Sequence, residues 1–252
     1  MDTSLHFLKL LAHEVRWLLL TKLAESDRRV QELVTLLKRP QNLISYHLRL
    51  LREGNIVVER QSSADGRDTY YSLNLSALQK QYQASGIALH PALAVAANQP
   101  PSKPEPANQR KRPFRILFLC THNSARSQLA EGMLRAVSNN TIAAFSAGSK
   151  PSRIHPLAKW AAAQQGISLE TQSSKDMAQF ANQQFDYVIT VCDQVREVCP
   201  VFPDGVHQIH WSLPDPTVVN GSDEEKRAAF AETAVSIAQR VHYLHLRLAQ
   251  TT

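Results

Sequence analysis

The stretch Asn98–Gln109 carries Pro100, Pro101, Pro104 and Pro106, and is followed by Arg110, Lys111, Arg112 and then Pro113. Each proline fixes φ and removes a backbone donor, so neither a helix nor a sheet ladder runs through such a segment; it makes a semi-rigid spacer. The chain of 252 residues is therefore read as two domains, 1–83 and 113–252, joined by a basic, proline-rich linker over 84–112. Charge divides in the same region. Residues 1–80 carry 12 Lys+Arg against 9 Asp+Glu, residues 81–113 carry 4 against 1, and residues 114–252 carry 12 against 12. The excess positive charge thus lies wholly ahead of the second domain, as expected if only the first part meets an anionic polymer; a basic solvated surface gives the same count. No apolar run approaches the roughly 20 residues that span a bilayer, and the N-terminus lacks the layout of an export signal, so a cytoplasmic location is expected.

In the first domain, Leu8, Leu11, Val15, Leu18, Leu19 and Leu23 fall at helical spacing, and a helix is expected over Leu5–Leu23. A short second helix fits Val30–Leu37; a third begins at Pro40 and runs to about Glu53, with Gly54 as its stop. Ile56–Gln61 and Thr69–Leu73 read as strands around the turn pair Asp65–Gly66. Three helices and a hairpin outline a winged helix-turn-helix, an α+β fold. In the third helix Ile44, Leu48 and Leu51 form the core stripe, which puts Gln41, Ser45, Arg49 and Arg52 on the other face. Amide, hydroxyl and guanidinium groups suit phosphates and base edges in a major groove, and Arg60 and Arg67 add phosphate-directed charge on the wing. Any solvated helix also shows a polar face, so these residues alone decide nothing.

The run containing "ISYHLRLLREGNIV" and a wing ending "YYSL", within about residues 5–75, resembles the ArsR/SmtB family of winged-helix repressors. That resemblance implies a homodimer that binds operator DNA and is released by metal or metalloid ions. It places the first helix and the one after the wing, about Ser76–Ser85, at the dimer interface. The sensor departs from the family: arsenite-sensing members carry paired cysteines where this chain reads "VQELVTLLKRP", and no cysteine precedes Cys120. A thiolate arsenite site within this domain is excluded; it responds through the fused second domain or to another signal.

The second domain opens on the apolar run Phe114–Leu119, suited to a buried parallel strand. Further strand-like segments, Ile142–Phe145, Asp186–Val191 and Val206–Trp211, alternate with helical patterns, and an amphipathic helix spans roughly Ser222–Leu248. This is an α/β domain with a central parallel sheet of four strands. Its most specific feature is "FLCTHNSARSQLAEGML" over 118–134, a strand ending at Cys120, five residues (Thr121, His122, Asn123, Ser124, Ala125), then Arg126, Ser127 and a helix. Backbone N–H groups of such a loop converge on a tetrahedral oxyanion and lower the pKa of a thiol among them. Arg126 offers a planar fork for two oxyanion oxygens, and Ser127 a hydroxyl for the thiolate. Asn123 tolerates an unusual backbone angle, and His122 is expected to point outward. Asp215, between Pro214 and Pro216, is a candidate general acid. Cys192 and Cys199 complete the three cysteines, too few for a disulfide scaffold and spaced for thiol exchange.

The Cys-x5-Arg-Ser spacing resembles the signature loop of the low-molecular-weight tyrosine phosphatase fold. With "FSAGS", "GISLETQSSK", "VITVCDQVREVCP" and "WSLPDP", residues 114–250 resemble the thioredoxin-coupled arsenate reductases (ArsC). The resemblance implies that Cys120 attacks arsenate held by the loop and Arg126 while Asp215 protonates the leaving oxygen. Cys192 then displaces arsenite, Cys199 moves the disulfide outward, and thioredoxin reduces it. It also implies a potassium site at Asn123, Glu131, Ser146 and Asp176. Two other readings stay open. One is a phosphatase whose extra cysteines protect Cys120; the other is an oxyanion-sensing repressor without turnover.

Overall fold

The computed structural model describes residues 3–64, 66–90, 93, 112–198 and 205–250. Asp65 of the expected hairpin turn, most of the proline-rich stretch and Cys199 lie outside the described residues. The chain divides into two compact units, Met1–Lys103 and Pro104–Thr252.

In the first unit the expected opening helix is two: α1 (Thr3–Leu11) and α2 (Glu14–Glu25). The apolar spacing continues across the junction, but His13 is extended and its ring accepts the Val15 N–H as an N-cap. Arg16 reaches back to the carbonyls of Leu10 and Lys9, occupying the C-terminal acceptors of α1. Helices α3 (Val30–Leu37) and α4 (Gln41–Glu53) follow, the latter with Pro40 as N-cap and Gly54 as C-cap. Strands β2 (Val57–Gln61) and β3 (Thr69–Leu73) form the wing. A two-residue strand β1 (Arg28–Arg29), which carries no periodicity signal, pairs antiparallel with β3 and makes the sheet order β1-β3-β2. Helix α5 (Leu75–Leu89) runs on past Ser85 into the expected linker. Leu19, Leu23, Leu33, Ile44, Leu48, Leu51 and Ile56 close the core, each worth about 1.5–3 kcal/mol of burial.

The second unit holds four parallel strands in the order β5-β4-β6-β7: β4 (Arg115–Cys120), β5 (Ala143–Gly148), β6 (Tyr187–Thr190) and β7 (His207–His210). The chain leaves β4 for β5 on one side, then crosses to β6 on the other. The loop at the carboxyl end of β4 therefore opens at a topological switch point, where open α/β sheets bind ligands. That loop leads into α6 (Arg126–Val137), and α7 (Pro156–Gln164), α8 (Asp193–Val198) and α9 (Asp223–Gln250) complete the unit. Phe230, Ala234, Ile237, Val241, Leu244 and Leu248 repeat every three or four residues and bury one face of α9, which packs on α6 and α7. Trp211 is buried against Phe118. The fold class read from the sequence, a winged helix-turn-helix followed by an α/β domain with four parallel strands, is borne out. Among the described residues no helix is long and apolar enough to cross a membrane.

Candidate active site

The loop Cys120–Arg126 is built by tying its carbonyls outward. The carbonyls of Cys120, Thr121, His122 and Ser124 accept the N–H groups of Ser149, Lys150, Ser152 and His155 at 3.3, 2.8, 2.9 and 2.9 Å. Gln128 Nε2 donates to the Asn123 carbonyl at 3.1 Å. With these acceptors occupied the loop is braced from behind, an arrangement that suits N–H groups facing an oxyanion. Asn123 stands at φ 47°, the left-handed region that a short amide side chain tolerates. Its side chain is fully buried: Nδ2 donates to Ser127 Oγ (2.9 Å) and Ser146 Oγ (2.8 Å), and Oδ1 accepts from Gln128 Nε2 (2.9 Å) and the Lys175 N–H (2.8 Å). Gly148, paired with Cys120 across the sheet, lets the loop approach; a Cβ there would sit 2.6 Å from the Thr121 carbonyl oxygen.

Cys120 Sγ receives the Asn123 N–H at 3.0 Å and lies 2.9 Å from Ser127 Oγ. Burial pushes the Cys120 thiol up and the neighbouring Cys192 adds to this; Ser127, Arg126 and the Asn123 N–H pull it down without reversing the direction. The loop donors thus act on the thiol in the direction expected from the sequence, and desolvation of the buried sulfur opposes them.

Arg126 donates to the Leu213 carbonyl (2.8 Å) and to Asp215 Oδ2 (2.5 Å). Asp215 Oδ1 in turn accepts from the N–H and hydroxyl of Thr217 at 3.0 and 2.7 Å. Burial alone would raise the Asp215 carboxyl, but Arg126, the two Thr217 bonds and His122 together hold it below the usual carboxylate range. Thr217 is not among the site residues expected from the sequence; an Asp-Pro-Thr run is also a side-chain-capped turn, and that signal would have found it. His122 is exposed, and Ser124 and Ala125 complete the loop wall. Cys192 is 2% exposed, and its Sγ lies 3.4 Å from Thr121 Oγ1. The structure thus brings Cys120, Thr121, Asn123, Arg126, Ser127, Cys192 and Asp215 together.

The expected potassium ligands fare differently. Asn123, Glu131 and Ser146 form one buried cluster, with Ser146 Oγ bonded to Glu131 Oε2. Glu131 already faces two protein cations: Arg135 at 2.6 Å and Lys175 Nζ at 3.3 Å. Asp176 instead caps the turn at Met177–Phe180, accepting the Ala178 N–H at 2.8 Å. A carboxylate with two cationic partners has little charge left for a metal ion, and a nearby ammonium repels one, so these residues do not fit potassium. Lys175, the last residue of the quoted GISLETQSSK run, carried no role in the sequence reading, because a loop register cannot be fixed by periodicity.

In the first unit, Gln41, Ser45, Arg49 and Arg52 lie on the exposed face of α4, opposite Ile44, Leu48 and Leu51. Arg49 pairs with Glu53 at 3.9 Å, and Arg52 is bonded to Glu59 of β2. Arg60 donates to the Gln61 carbonyl at 2.9 Å, and Arg67 is exposed on the wing.

Residues 115–252, more than half of the chain, match the model of the low-molecular-weight phosphotyrosine protein phosphatases. The chain belongs to this family. Residues 13–58 match that of the bacterial regulatory proteins of the arsR family. Within the phosphatase-family segment the chain is similar to the arsenate reductase of Halalkalibacterium halodurans, 36% identical over 126 residues that cover 50% of this chain and 91% of the relative. It is similar to the arsenate reductase of Bacillus subtilis at 34% identity with the same coverage. A solved arsenate reductase in the reduced state aligns over 54% of this chain and 98% of its own, with 28% identity and a TM-score of 0.44. The arsR-family segment and the phosphatase-family segment do not overlap and fall in separate compact units.

Proposed function

We propose that the protein joins an arsenate reductase to a DNA-binding regulator, with Cys120, Cys192 and Cys199 as a thiol relay. The observation that carries the reading is Cys192, a second buried thiol beside the nucleophile loop, in a family segment shared with proteins named arsenate reductase. Hydrolysis needs no thiol besides Cys120. A thiol next to it adds the means to take over its bond.

An oxyanion seated in the loop takes the Arg126 fork, and Asp215 loses its main cationic partner. Burial, the one influence that acts to raise the Asp215 carboxyl, is then less opposed. The Cys120 thiolate attacks arsenic, Asp215 protonates the departing oxygen, and water leaves; arsenic is still pentavalent. The Cys192 thiolate attacks Cys120 Sγ, and the sulfur–arsenic electron pair stays on arsenic, which leaves as arsenite. Cys199 attacks Cys192 and frees Cys120. A dithiol reductant of the thioredoxin class then takes the oxidising equivalents, two thiols lost for each arsenate reduced. Reduced thioredoxin, its reductase and NADPH supply the assay: NADPH consumed one-to-one with arsenite formed supports the reading. Steady aryl phosphate turnover with no arsenate-dependent NADPH loss would replace it with the phosphatase.

Arg126→Lys keeps the charge but loses the planar fork. The kcat/KM for arsenate is expected to fall by about 10²–10³-fold, read by steady-state kinetics.

For the first unit we propose operator DNA as partner, read by α4 and the wing. Leu5, Tyr82, Ile87 and Leu89 leave exposed apolar positions on α1 and α5, which supports a homodimer through those helices. Arg49 is 57% exposed and its pairing with Glu53 is loose, so its charge is available to a phosphate. Arg49→Ala is expected to weaken duplex DNA binding and to lower the slope of log K against log salt by about 1, measured by fluorescence anisotropy over a salt series.

A further inference from the structure

Cys192 leads directly into a buried polar cluster that the relay chemistry does not use. Asp193 is 0% exposed, and its Oδ1 accepts from Ser212 Oγ at 2.8 Å and lies 3.1 Å from His210 Nε2. On the other side of the ring, His210 Nδ1 is 2.8 Å from Thr190 Oγ1. Thr190, His210 and Ser212 are themselves buried. The four residues bracket the thiol: Thr190 ends β6 just ahead of Cys192, Asp193 opens α8 just behind it, and His210 and Ser212 follow on or after β7. Backbone bonds join the same place, from the Trp211 N–H to the Thr190 carbonyl and from the Val191 N–H to the Leu119 carbonyl, each 2.8 Å.

A buried carboxylate is unfavourable unless bonded, and an exposed aspartate would start a helix as well. What burial adds here is fixation: the residue after Cys192 is tied by its side chain to the neighbouring strand, and Thr121 meets the thiol from the loop side. We propose that Asp193, held by His210 and Ser212, is a positioning residue that keeps Cys192 at the oxyanion loop. The inference rests on the reductase reading. The step it serves is attack of the Cys192 thiolate on the arsenylated Cys120 sulfur: a sulfur–sulfur bond forms, the sulfur–arsenic bond breaks, arsenic gains the pair, and two cysteine sulfurs are oxidised.

The test uses the full chain with Asp193→Asn and His210→Gln, which keep volume and some hydrogen bonding, and two readouts on one preparation. Hydrolysis of p-nitrophenyl phosphate needs Cys120, Arg126 and Asp215 but no second thiol. Arsenite formed in a single turnover by quenched flow needs Cys192 in place. Each variant is expected to hydrolyse the ester within about twofold of wild type and to form arsenite about tenfold more slowly, since small misplacements of reacting atoms cost that much or more. The double variant should be no slower than the slower single one, because both act through one tether. Parallel loss of both activities, from misfolding or a general structural role, overturns the proposal, and so does unchanged arsenite formation. A wild-type protein that forms no arsenite refutes the reductase reading instead.

Discussion

Cys120→Ser is expected to abolish arsenite formation and aryl phosphate hydrolysis together, each falling by about 10⁴-fold or more, with the fold retained. Serine fits the site: the Asn123 N–H and the Ser127 hydroxyl that meet Sγ at 3.0 and 2.9 Å meet an oxygen as readily. What is lost is the nucleophile. A serine hydroxyl is far harder to ionise than a thiol, and no general base is bonded to it in this loop. Binding should survive, so inorganic phosphate should still raise the melting temperature of the variant. Retention of either activity would place the nucleophile elsewhere.

The second large effect separates the relay from hydrolysis. Cys199→Ser is expected to form about one arsenite per chain and then stop, trapped as a Cys120–Cys192 disulfide, because the third thiol that would release Cys120 is gone. Rapid quench with arsenite quantitation, followed by peptide mapping, reads both the yield and the bond. Multiple turnovers with thioredoxin at the wild-type rate would remove Cys199 from the pathway. Ester hydrolysis by the same variant should be unchanged, since Cys120, Arg126 and Asp215 suffice for it.

Much of this architecture was legible in the residues. The apolar run into Cys120, followed by Arg126 and a helical pattern, is a local signal, and the structure builds strand, loop and α6 from that contiguous segment. Helix α4 was legible because Pro40, Gly54 and the stripe Ile44, Leu48 and Leu51 agree along one stretch. Where contacts reach beyond the local pattern, the sequence was silent. The break between α1 and α2 depends on Arg16 folding back onto the carbonyls of α1, which the unbroken apolar spacing hides. The two residues of β1 are fixed only by pairing with β3. Lys175 reaches Glu131 across the fold, so the cation there is a side chain where an ion was expected. Asp193 and His210 stand 17 positions apart and match no motif, yet they meet at 3.1 Å. The direction of the Cys120 shift also needed coordinates: the donors could be anticipated from the loop, but the completeness of its burial could not.

Thiol counting on the fully reduced protein after one addition of arsenate, with no thioredoxin present, tests the core of this account most directly. The prediction is one arsenite released per chain, with free thiols falling from three to one as Cys192 and Cys199 become bonded. Three thiols still titrating, no arsenite, and an intact capacity to cleave aryl phosphate would contradict it and leave an enzyme of hydrolysis alone.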